Sequence, residues 1–148
     1  MPGPTPAAET ARLLSCGVDF DVLRVPEPAG RWALRRLIGY RQPALRPGPV
    51  ALDGEAACLF FVAPGAKEDL PELLEWLDWG GIDLGLRAYG AGESLPEPSG
   101  WLHDPDAPAP EVIALLATIA ECCSRRLLRH PPRQRRTSRL NDVGDLTT

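Results

Sequence analysis

The chain has 148 residues, 44% of them hydrophobic and 24% charged, with a formal net charge of −4. That make-up fits one globular domain whose core needs no disulfide or metal. No apolar run approaches the ~18 residues of a membrane span, and the opening Met1-Pro2-Gly3-Pro4 has neither region of a signal peptide, so the expected location is the cytoplasm.

In chain order, residues 1–9 are rich in Pro and Ala and are read as disordered. Residues 10–14 give a helical turn or the start of a strand. Residues 18–25 alternate apolar and polar side chains (Val18, Phe20, Val22 against Asp19, Asp21) and predict a strand ended by Pro26 and Pro28. Ala33, Leu34, Leu37 and Ile38 share one face of a predicted helix over 30–38. Residues 41–48, with two prolines, read as a loop. Residues 50–52 and 58–63 predict a hairpin around Asp53-Gly54. The next helix is expected to open at Asp69 and Pro71, with Glu72 completing a capping box, and to bury Leu70, Leu73, Leu74 and Leu77. Residues 82–86 alternate as a strand, 89–100 form a Gly/Pro loop, and Trp101-Leu102 a last short strand. The longest helix opens at Pro110-Glu111, presents Val112, Leu115, Leu116, Ile119 and Cys123, and ends near Arg129; residues 130–148 are read as a disordered tail, arginine-rich and then polar. The expected order β-α-β-β-α-β-β-α makes an α+β domain over 10–129, with a small mixed or antiparallel sheet and helices packed on it.

Charge and cysteine usage narrow the chemistry. Residues 1–124 carry nine basic and 18 acidic side chains, whereas 125–148 carry seven arginines against Asp142 and Asp145. An acidic body disfavours tight, nonspecific binding to nucleic acid. The four cysteines (Cys16, Cys58, Cys122, Cys123) make no C-x-x-C pair and are read as buried apolar residues in a reducing compartment. Trp76 and Trp79 flank the leucine stripe of their helix, where packing duty competes with an exposed partner patch.

Three blocks, in order, carry a family likeness. The first is Leu23-Arg24-Val25-Pro26 with Gly30 and the helix bearing Ala33, Leu34 and Leu37. The second is the apolar run from Cys58 to Pro64. The third is Gly81-Ile82-Asp83-Leu84-Gly85-Leu86-Arg87, then a glycine-rich stretch, Pro98-Ser99 and Gly100-Trp101. Together they resemble the bifunctional DNA primase/polymerase (Prim-Pol) family of the archaeo-eukaryotic primase superfamily. This chain looks like a short, diverged member, lacking most of the segment that precedes the family's first acidic strand.

The resemblance implies an active site built on carboxylates that hold two divalent cations. Carried over position by position, the family's paired carboxylates fall on Arg24 and Pro26, its histidine on Cys58 and its third acid on Asp83. Arg24, Cys58 and Arg87 are thereby the positions that the resemblance offers for binding a cofactor. An arginine in a two-metal site repels the ions it should bind, so the expected function is binding or regulation with polymerase and primase activity lost and no cofactor. A rival register uses Asp19, Asp21 and Asp83 as catalytic and metal-binding residues with Mg²⁺ or Mn²⁺; Asp19 and Asp21 then share one face of one strand. A reading from another class is an interaction module that docks a protein partner or dimerises through the Trp76/Trp79 helix. Expected partners are thus a weakly bound nucleotide or single-stranded DNA, or a protein, and no membrane. An ion pair between Arg24 and Asp83 is the expected replacement for the metal.

Overall fold

The computed structural model describes residues 13–129; the segments read as disordered, 1–9 and 130–148, lie outside the described residues. Short strand β1 (Leu13–Ser15) leads to β2 (Asp21–Pro26), helix α1 (Ala29–Tyr40) and a 3₁₀ turn (Pro43–Leu45). Hairpin β3 (Val50–Asp53) and β4 (Ala57–Val62) follows, then α2 (Ala66–Trp76), β5 (Arg87–Tyr89), β6 (Ser94–Pro96), β7 (Gly100–His103) and α3 (Val112–Arg129). The class is α+β, with five strands in the order β5-β2-β4-β3-β7 and every neighbouring pair antiparallel. The path β2-α1-β3-β4-α2-β5 is a split β-α-β plait, with β7 added beside β3. Among the described residues, strands β1 and β6 pair with each other alone, as a separate ribbon.

The apolar run 58–63 earns the central position. All six residues of β4 are buried, and strand alternation sends Cys58, Phe60 and Val62 to one face, Leu59 and Phe61 to the other. The first face packs on the helices with Leu23, Val25, Leu37, Leu115, Leu116 and Ile119. The second gathers Val22, Ala51, Leu59 and Phe61 beneath the ribbon's Leu95. Both layers remove large side chains from water, each full burial contributing about 1.5–3 kcal/mol.

Gly30 is where α1 lies closest to the sheet. A Cβ there would stand 2.7 Å from both Cβ and Sγ of Cys58, so only glycine lets helix and strand meet at this point. The entry to α1 passes a cis Glu27–Pro28 peptide, and the Glu27 carboxylate accepts a hydrogen bond from the Arg31 N–H at 3.1 Å.

Several expectations need correction. The strand begins at Asp21 rather than at residue 18: Val18 is 78% exposed and Asp19 is exposed too, so Asp19 and Asp21 are not paired on one strand face. Helix α2 starts at Ala66, and Pro71 lies within it. Its start is marked by Gly65 at φ 97° and by a carboxylate from another element, described below, rather than by Asp69. Residues 82–86 are not a strand. Gly81 and Gly85 take φ values of 79° and 81°, which break an extended ladder, and the strand starts only at Arg87. The expected loop 89–100 contains β6, held by pairing to β1. Trp79 packs against the main core, whereas Trp76 is 75% exposed, so the two do not form one patch. No helix among the described residues is long and apolar enough to cross a membrane.

Candidate functional site

Arg24 and Arg87 stand directly opposite each other on adjacent strands β2 and β5, so both project from the face that carries Val22 and Leu59 rather than from the helix-packed face. The Arg24 guanidinium donates to the Asp53 carboxylate at 2.9 Å. Asp53 closes β3 and pairs with Ala57 across the hairpin, which sets it on the same face, two residues along from the Leu59 that faces Arg24. The Arg87 guanidinium lies over the Tyr89 ring, 4.9 Å from its centroid. The expected Arg24–Asp83 pair is therefore replaced by Arg24–Asp53. Asp83 is exposed in the irregular segment and its Oδ1 accepts from the Gly85 N–H at 2.9 Å.

A cleft of about 170 Å³ adjoins this corner, between Asp53, Leu59 and Tyr89 on one side and Leu95, Pro96 and Ser99 on the other. Ser99 ties its rim to the hairpin. Its Oγ accepts from the Gly54 N–H and donates to the Leu52 carbonyl, each at 3.3 Å. That Pro98-Ser99 stretch belongs to the third block of the sequence likeness, and here it braces the turn beside the arginines.

Cys58 does not join them. It pairs with Val25, faces the helices and is fully buried against Gly30. Burial first, then the Glu27 carboxylate, pushes its thiol up to about 12, so it stays protonated and is no nucleophile at neutral pH. Of the three candidate binding positions, the fold brings Arg24 and Arg87 together and sends Cys58 to the opposite face.

Asp21 has a different occupation. It is the buried charged residue of the core, 0% exposed. Its Oδ2 accepts hydrogen bonds from the backbone N–H groups of Gly65 (3.1 Å) and Lys67 (3.0 Å). It thus caps the first turn of α2 from a neighbouring strand, satisfying donors that a helix start leaves unpaired and placing an anion at the positive end of the dipole. Its Oδ1 has no hydrogen-bond partner. Nearby, Glu93 accepts from Lys67 Nζ at 2.7 Å and from the Gly90 N–H at 2.8 Å; the Lys67 hydrogen bond, then that of Gly90, holds its carboxyl below the ordinary range. Asp19 instead lines an apolar hollow with Phe20, Phe61 and Trp101.

Asp19, Asp21 and Asp83 are not gathered into one site, and no group of three or more His, Cys, Asp or Glu side chains placed to hold a metal occurs among the described residues. Each of the three sits in a separate local structure: an exposed lead-in, a helix cap and an Asx turn. What sequence reasoning missed is Asp53, read only as a turn residue. Its partner depends on the β2–β4 and β3–β4 registers, which no local pattern reports. No family model, curated protein or solved structure matches this chain.

Proposed function

We propose that this chain is a diverged Prim-Pol-like domain that acts in the cytoplasm by binding phosphate-bearing ligands, a nucleotide or single-stranded DNA, without polymerising them. The observation that carries the reading is the Arg24–Arg87 pair on neighbouring strands. Where a two-metal site recruits a triphosphate through cations held by carboxylates, two guanidiniums recruit it directly, since arginine presents a rigid fork of donors that matches phosphate oxygens. Asp53 pairs with Arg24, so a phosphate has to compete with that carboxylate and binds more weakly for it. Asp21, tied up as a helix cap, supports the loss of the metal chemistry that the rival register needs.

The test combines primer extension with binding. On a primed single-stranded template with Mg²⁺ or Mn²⁺ and all four deoxynucleotides, wild type and Asp83→Ala are expected to give no product. Calorimetric titration with a deoxynucleoside triphosphate in a chelator is expected to show binding that Arg24→Ala and Arg87→Ala each abolish. Metal-dependent extension lost in Asp83→Ala would instead establish a working carboxylate site and overturn the proposal.

A further inference from the structure

A second arginine cluster lies away from the Arg24–Arg87 corner, on the helical side. Helices α1 and α3 pack together and leave a groove of about 390 Å³ lined by Trp32, Arg35, Arg36, Arg125 and Arg129. Glu121 reaches into the cluster, accepting from Arg36 at 2.6 Å and from Arg125 at 3.2 Å. The Arg129 guanidinium lies 5.3 Å above the Trp32 ring. Among the described residues, Arg35 makes no ion pair. Four guanidiniums against one carboxylate leave the groove cationic, in a chain whose net charge is −4. On the same helix as Arg125 and Arg129, Leu128 is 81% exposed.

Helix α2 carries the complement. Glu68, Asp69, Glu72 and Glu75 are all exposed along it, at the i, i+3 and i, i+4 spacings that bring like charges together and destabilise a helix by a few tenths of a kcal/mol per pair. Glu75 also sits near the C-terminal end, where the helix dipole disfavours an anion. The helix has no basic residue in its last turn. Trp76, 75% exposed, adjoins this acidic stripe. An acidic helix face carrying one large apolar anchor is the chemistry that an arginine groove lined in part by Trp32 receives.

We propose that the arginine groove between α1 and α3 receives the acidic, Trp76-bearing face of α2 from a second copy of this chain, so that copies associate head to tail. A second copy accounts for both surfaces at once: it relieves the repulsion along α2, covers Trp76 and supplies counter-charges to Arg35 and Arg129. A nucleic-acid ligand accounts only for the groove. Because groove and helix are different surfaces, the contact is heterologous, and each copy offers one of each. The inference is independent of the Prim-Pol reading, since none of its residues belongs to the Arg24–Arg87 corner.

The experiment is sedimentation velocity on the full chain over a concentration series at low and at molar salt, with circular dichroism to show that each variant is folded. Wild type is expected to self-associate at low salt and to dissociate at molar salt, where screening is nearly complete. Arg35→Glu with Arg125→Glu, and separately Glu72→Arg with Glu75→Arg, are each expected to weaken association by about tenfold or more. Mixing the two charge-reversed proteins restores opposite charges across the contact and is expected to restore association. Wild type that stays monomeric throughout, single variants that associate like wild type, or a mixture that remains monomeric would each overturn the proposal. Loss of binding to a labelled single-stranded oligonucleotide in Arg35→Glu/Arg125→Glu, with wild type monomeric, would overturn it too and assign the groove to phosphates.

Discussion

The two faces of the central sheet are built from the same strands to opposite ends. The helix-side face holds Leu23, Val25, Phe60, Val62 and Cys58 in a layer closed to water. Its one charge, Asp21, is consumed in capping α2. The ribbon-side face has an apolar centre of Val22, Leu59 and Phe61, but its β2–β5 corner carries Arg24, Arg87 and Asp53, with the Arg24 side chain 30% and that of Asp53 51% exposed. One face is a closed apolar layer; the other carries partly exposed charge at one corner. The lesson is that a single residue step along β2, from Val25 to Arg24, separates a packing position from a charged, partly exposed one.

Substitutions should therefore divide by face. Phe60→Ala removes a fully buried ring from the closed side and is expected to lower unfolding free energy by about 3–5 kcal/mol, read from urea or thermal melts. Asp21→Ala leaves the Gly65 and Lys67 amides without their acceptor and is expected to lower stability by about 1–3 kcal/mol; amide hydrogen exchange should locate the loss at the start of α2. If Asp21→Ala melts like wild type, the cap is dispensable and the contrast between the faces weakens.

On the ribbon side the order inverts. Arg24→Ala breaks a partly exposed ion pair, so the melt is expected to shift by no more than about 1 kcal/mol while nucleotide binding is lost. A large stability loss would make Arg24 a structural residue and place the ligand elsewhere. The smallest effect is at Glu93. Because its folded carboxyl is held below the ordinary range, mainly by Lys67, its contribution is present at pH values above the unfolded glutamate pKa and disappears as pH falls through the folded one. Glu93→Gln is expected to lower neutral stability slightly and leave acid stability unchanged, which flattens the acid limb of a plot of melting temperature against pH.

Much of this architecture was legible in one dimension. The unbroken apolar run from Cys58 announced a strand buried on both sides, Asp53-Gly54 announced its hairpin, and the 3.6-residue spacing of Val112, Leu115, Leu116 and Ile119 announced α3; each is a local pattern produced by strand or helix geometry meeting a dry core. The α+β class follows from the order of such elements. The candidate site was legible only in part. Arg24 and Arg87 could be singled out by resemblance, but their being neighbours depends on how β5 registers against β2. Asp83 was misplaced because the left-handed glycines at 81 and 85 override the alternating pattern between them. Asp19 and Asp21 looked equivalent two residues apart, yet one is solvated and the other caps a helix 44 residues further along the chain. Sequence alone determined which segments must be buried, because burial follows from local periodicity. Which charges meet was decided by tertiary structure, because strand register and helix placement join residues that the chain itself keeps far apart.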